Sequence, residues 1–159
     1  MARNYTRNRG FTLIEIMVVV VIIGIALALA LPRLFPSDEE LTREESEQVL
    51  ALLQVARDEA AFGGRAIAAR VVAGRLEFFE RDTGNPEQWN PIGSPDLKPR
   101  TFAAAVTAQL SIAGSSSKDL QIIFLPAGVG LPFELALQSP TTAATIVGDA
   151  IGNVRLMAR

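Results

Sequence analysis

Cysteine and histidine are both absent from the 159 residues of this chain. Without thiols there can be no disulfide framework, even in an oxidising compartment. The double absence also excludes cysteine and histidine metal sites, His-dependent triads and cysteine nucleophiles. No glycine-rich phosphate loop, Gly-x-Ser-x-Gly elbow or HExxH string occurs, so the chain carries no recognisable catalytic constellation and is expected to be no enzyme and to need no cofactor or metal. Aromatic residues are scarce, with a single tryptophan, Trp89. An excess of positive charge is missing as well. The net charge is −2, and without Arg3, Arg7 and Arg9 the remainder holds 12 basic and 17 acidic side chains, or −5. That is opposite to the basic footprint of a nucleic-acid binder, so nucleic acid is not the expected partner.

What the chain does have is a long apolar run. From Ile16 to Leu31 no charged residue occurs, Pro32 closes the run, and Glu15 is the one charge between Gly10 and Pro32. At ~1.5 Å per residue a helix over 11–31 is roughly 30 Å long, the thickness of a bilayer's hydrocarbon core. The first ten residues carry three arginines and no acid, which predicts a cytoplasmic N-terminus and an outward C-terminal portion. A carboxylate inside such a span costs about 2.5–3.5 kcal/mol near its centre and less near its end, so Glu15 calls for a partner. The plainer alternative is an ordinary anchor whose Glu15 snorkels to the headgroups. Gly24 lacks a second small residue four positions earlier, where Val20 stands, so it predicts no close helix contact by itself. Pro32 and Pro36 are expected to bend or interrupt the helix at its exit, since each lacks an amide proton and crowds the preceding turn.

A basic leader, Gly10, Phe11, Thr12-Leu-Ile and Glu15 ahead of the apolar run together resemble the N-terminal signature of type IV prepilins and type II secretion pseudopilins. The resemblance implies cleavage between Gly10 and Phe11 by a prepilin peptidase and methylation of the new amino group of Phe11. It further implies that Glu15 attracts the N-terminal amine of a neighbouring subunit as apolar helices pack into a filament. Lipid supplies the physical reason, because a charge that is expensive there becomes tolerable beside an opposite one.

Beyond the apolar run, Ser37-Asp-Glu-Glu40 reads as a capping box. The helix it opens is predicted to run from Leu41 to Phe62, with Leu41, Val49, Leu52, Leu53, Ala56 and Ala60 on one face, and to end at Gly63-Gly64. Strands are expected on either side of a Gly74 turn, with Ile67, Ala69 and Val71 on one face. Residues 82–98, rich in proline and glycine, read as a loop whose Trp89 either plugs the core or contacts a partner. Residues 101–113 read as mostly extended. Leu120–Leu125 is predicted to form a hairpin with Pro132–Gln138 across the Pro126–Gly130 turn, and Ala143–Val147 another with Asn153–Met157 around Asp149–Gly152. Glu77, Glu80, Asp82 and Glu87 could in principle offer oxygens to calcium, but alternating acids on a strand are more simply a solvated face.

These elements predict an α+β, pilin-like fold, a long N-terminal transmembrane and amphipathic helix packed on an antiparallel β-rich C-terminal domain. The expected organisation is a leader over 1–10, a span over 11–31, continuation of the helix over 32–64 and a periplasmic domain over 65–159. Ala56-Arg-Asp-Glu-Ala60, Gly64-Arg, Trp89, Phe124-Leu-Pro-Ala-Gly128 and the closing Val147–Leu156 segment are similar to the GspH and FimT branch of the superfamily. That resemblance implies a minor pseudopilin of a type II secretion system in the inner membrane, with the major pseudopilin, other minor pseudopilins and secreted cargo as partners. The alternative it leaves open is a FimT-like minor type IV pilin acting in pilus assembly or DNA uptake.

Overall fold

The structure is a computed structural model that describes residues 11–34, 37–115, 120–128 and 130–157. It divides into an N-terminal unit, residues 1–36, and a second unit, residues 37–159. The leader, including Gly10, lies outside the described residues, as does Pro36.

The first unit is helix α1, Leu13–Leu34. Thr12 starts it, its hydroxyl and its carbonyl both accepting from the Glu15 amide at 3.3 and 3.1 Å. Pro32 falls inside α1, close to its end. Among the described residues no helix is long and apolar enough to cross a membrane. The span expected over 11–31 extends past the described side chains, which reach residue 29 in this helix.

The second unit opens with helix α2, Asp38–Gly63. The predicted capping box is present: Ser37 Oγ accepts from the Glu40 amide at 3.2 Å while the Glu40 carboxylate accepts from the Ser37 amide at 3.1 Å. At the far end Gly64 turns left-handed at φ 64°. Val49, Leu53, Ala56 and Ala60 are fully buried, as their spacing predicts, whereas Leu52 is half-buried. The buried face continues towards the N-terminus with polar residues, Thr42, Glu45 and Ser46. Thr42 Oγ1 and Ser46 Oγ donate back to the Asp38 and Arg43 carbonyls, both at 2.8 Å, which satisfies two hydroxyls the sequence pattern did not place inside.

Two antiparallel sheets complete the unit. The first contains β1 (Ile67–Val72), β2 (Arg75–Arg81), β3 (Trp89–Pro91), β4 (Arg100–Thr101) and β6 (Gln121–Phe124), in the order β3-β2-β1-β6 with β4 also on β2. The second contains β5 (Thr107–Ile112), β7 (Phe133–Gln138), β8 (Ala143–Gly148) and β9 (Val154–Met157), in the order β5-β7-β8-β9. Ala73 and Gly74 join β1 to β2 with φ of 48° and 75°, the doubly positive pattern of a type I′ turn, whose twist suits a two-residue hairpin. One core gathers Leu53 and Ala56 from α2, Leu76, Phe78 and Ile122 from the first sheet and Leu135, Leu137 and Ile146 from the second. Phe124 and Phe133 meet edge to face across it, with centroids 6.4 Å apart. Gly148 faces the Phe133 ring so closely that a Cβ there would fall inside it.

Three expectations change. The hairpin predicted between Leu120–Leu125 and Pro132–Gln138 does not form: β6 pairs with β1, and β7 pairs with β5 and β8. The intervening turn carries the chain from one sheet to the other, so both apolar faces reach the same core without sharing hydrogen bonds. The loop expected over 82–98 contains β3, paired with β2 through Phe79, Glu80 and Arg81. Residues 101–113 are mostly extended, but in two strands of different sheets, β4 and β5, with Phe102 and Val106 buried between them.

Candidate functional site

The residues singled out at the N-terminus lie on the first unit. Every described side chain from residue 11 to residue 29 is exposed, Phe11 and Leu13 at 79% each. Glu15 sits in the first turn of α1 and is exposed too. Its carboxylate has no hydrogen-bond or ion-pair partner among the described residues. A helix N-terminus is a favourable place for negative charge, because the free amides of the first turn point towards it. The surface is thus an apolar helical face bearing one carboxylate at its start, which can bury itself only against lipid or other apolar helices.

Three of the four acidic residues considered for calcium are used separately. Glu80 pairs with Arg65, which also reaches Glu59 at 2.6 Å. Glu77 lies 3.8 Å from Arg75. Asp82 instead organises its own turn: Oδ1 accepts from the amides of Gly84 and Asn85 at 2.7 and 2.9 Å, and Oδ2 from the Asn90 side chain at 3.0 Å. The Asn85 amide first, then Gly84, hold the Asp82 carboxyl below the usual range for an aspartate.

Asp149 repeats the arrangement in the turn between β8 and β9. Its Oδ1 accepts from the Ile151 and Asn153 amides at 3.1 and 2.9 Å and its Oδ2 from the Asn153 side chain at 3.0 Å. The Asn153 amide is the main reason that this carboxyl also titrates lower than usual. Next to it Gly152, at φ 86°, lets the backbone come so near the Gly128 carbonyl that a Cβ would stand 2.5 Å from that oxygen. The Gly130 amide donates to the Ala150 carbonyl at 3.1 Å, so the turn after β6 is fastened to the turn after β8.

Trp89 is half-buried in β3, with the Arg81 guanidinium 4.9 Å from its ring centroid. Arg70 lies in the same way over Phe79 at 4.6 Å. Neither stacking could be read from the sequence, because it depends on the β1–β2 register and on a strand, β3, hidden in a proline-rich stretch.

Residues 5–31 match the model of the prokaryotic N-terminal methylation motif, and residues 45–152 match that of the type II transport protein GspH. No curated protein sequence matches the chain. Among solved structures the chain is similar to the minor pseudopilin EpsH of the Vibrio cholerae type II secretion system, at 16% identity and a TM-score of 0.66 over 77% of this chain and 96% of that one. The solution structure of Escherichia coli GspH is 18% identical, with a TM-score of 0.56 over 74% of this chain and 87% of that one. The type IV minor pilin FimU of Pseudomonas aeruginosa is 21% identical, with a TM-score of 0.55 over 74% and 88%. At these identities the likeness establishes the fold, α+β and pilin-like.

Proposed function

The chain belongs to the GspH family of type II transport proteins, and from this premise we propose that it works as a minor pseudopilin of type II secretion. A prepilin peptidase cuts between Gly10 and Phe11 and methylates the amine of Phe11. The apolar helix over 11–31 holds the subunit in the inner membrane, N-terminus in the cytoplasm and β-rich domain in the periplasm. A second helix, capped at Ser37, follows over 38–63, and Pro32 and Pro36 lie where the apolar helix gives way to it. The subunit then enters a periplasmic pseudopilus by packing the apolar helix among those of the major and other minor pseudopilins, with Glu15 receiving the amine of a neighbour. Its work is assembly, not catalysis.

The observation that carries this reading is Glu15. It is the single charge between Gly10 and Pro32, it is exposed, and it has no partner among the described residues. Transfer of an apolar helix from lipid to a helix bundle gains little hydrophobic energy, so packing and polar pairing must supply the preference for the assembled state. A carboxylate at a fixed depth does so with a register, since it is satisfied only when the neighbouring amine stands at the same depth.

The test is secretion from a strain that lacks the gene, with transformation frequency measured alongside and the intact gene restored as control. Loss of secreted hydrolase with normal transformation is expected. Lost transformation with normal secretion would instead make the chain a minor type IV pilin of DNA uptake.

A further inference from the structure

The outward face of the first sheet and the groove beside it form a further surface of the second unit. In β1 and β2 the register sets Ala68 opposite Phe79, and Ala68 also opposite Ile123 of β6. Alternation along the strands then brings Arg70 and Arg81 to the same face as Phe79. Where β6 ends, a groove of about 400 Å³ opens, walled by Ile112, Ile123, Leu125 and Leu131 and by Arg81. Leu131, at its rim, is 64% exposed.

The charge of this face differs from that of the chain. Arg57, Arg65, Arg75 and Arg100 each have a carboxylate within 4 Å. Arg70 and Arg81 have none among the described residues; Arg70 donates to the Gln121 side chain at 2.9 Å, and Arg81 Nε is buried without an acceptor. A chain of net charge −2 thus places two carboxylate-free guanidinium groups, each stacked on an aromatic ring, beside an apolar groove. A guanidinium lying over a ring can still donate from its outer nitrogens to an anion.

We propose that this face docks an acidic, aliphatic segment of a partner protein: a leucine-sized side chain enters the groove between Ile123 and Leu131, and a neighbouring carboxylate accepts from the outer nitrogens of the Arg81 guanidinium. A nucleic-acid strand fits less well. It needs a run of cations along its backbone, whereas Glu77 stands directly opposite Arg70 in the register, and an apolar groove has nothing to offer a phosphate. This docking goes beyond filament assembly and does not depend on it.

Trp89, the only tryptophan, reports on the face because Arg81 lies on its ring. The full-length protein in detergent micelles is titrated with the peptide acetyl-Ser-Asp-Leu-Glu-Leu-Ser-amide, and separately with the analogue in which lysines replace both acids. The acidic peptide is expected to shift the Trp89 emission saturably and to bind at least roughly tenfold more tightly than the lysine analogue. Arg81→Gln, read by anisotropy of a fluorescein-labelled acidic peptide because it alters the surroundings of Trp89, is expected to weaken binding roughly tenfold. Leu131→Ser, at an exposed position, is expected to weaken it several-fold. The proposal is overturned by no saturable signal up to about 1 mM, by equal binding of the lysine analogue, or by undiminished binding in both variants. Binding of oligothymidylate instead of the peptide would assign the face to nucleic acid, and emission that changes with protein concentration alone would assign it to a second copy of the chain; either result overturns it.

Discussion

Glu45 reaches out of α2 to Arg100, its Oε2 lying 3.2 Å from Nε and 3.1 Å from Nη2, while its Oε1 accepts from the Ala103 amide at 3.2 Å. Glu45 is only 7% exposed, yet one carboxylate satisfies a guanidinium and an orphan amide at once. The segment that follows β3 is tied to the helix by charge as well as by the buried Leu97 and Phe102.

Removing that carboxylate should loosen the tie. Glu45→Ala is expected to destabilise the β-rich unit by about 2–3 kcal/mol, since it strands both donors of a mostly buried cluster. Glu45→Gln keeps an acceptor for one donor and should cost less. Denaturant unfolding followed by Trp89 fluorescence measures both, and equal stabilities would contradict the role assigned to Glu45.

The type I′ turn offers the opposite sign. Ala73 adopts φ 48° although it carries a Cβ, a conformation that asparagine tolerates better. Ala73→Asn should therefore stabilise the β1–β2 hairpin by about 0.5–1 kcal/mol. A rise in the midpoint of unfolding is the expected observation; a fall would mean the turn is not strained there.

Acid should weaken the fold through its two aspartate turns. The carboxyls of Asp82 and Asp149 titrate below their ordinary 3.8 in the folded chain because backbone amides bind the ionised form. A depressed folded pKa contributes stability that is fully present above the unfolded value and disappears as pH falls through the folded one. Asp149→Ala should accordingly lower Tm at neutral pH, and the gap to the unmodified chain should close as the pH drops below 3.8. A gap that stayed constant down to the acid limit would show that the turn is not held by the charge.

At the N-terminus, Glu15→Ala should leave the thermal unfolding of the β-rich unit unchanged, since α1 and that unit are separate units. Incorporation into filaments should fall sharply, as read by cross-linking to the major pseudopilin in cells. Undiminished incorporation would contradict the pairing proposed for the carboxylate.

The two helices and most strands were legible in the sequence because their signals are local. Ser37 and Glu40 announce a helix start within four residues, and Gly64 ends the helix where the apolar stripe stops. Strand type was equally local: Phe133, Leu135 and Leu137 alternate, and all three are buried. Pairing was not legible. Nothing near β6 distinguishes a hairpin with β7 from a return to β1, because either choice buries Ile122 and Phe124. Glu45 was hidden for another reason, since a glutamate among Arg43, Glu44 and Glu47 looks solvated until Arg100 and Ala103 come over it. The leader, Gly10, Phe11 and Glu15 formed a pattern that needs no tertiary structure to be read, whereas the Arg81–Trp89 stacking needs all of it.

The crossover between the sheets also imposes a timetable. The β1–β2 hairpin closes through two residues and the β7-β8-β9 meander through short turns, so both can form from neighbouring chain. Joining β6 to β1 must instead bring Phe124 back to Ile67, a long closure whose entropy is lost before any contact repays it. The seam between β1 and β6 is therefore the last to zip, and amides of β6 should gain protection after those of β2 in pulse-labelled hydrogen exchange. Until then the outward face of the first sheet has no edge beside it, so the surface carrying Arg81 and Leu131 exists only on a subunit that has finished folding.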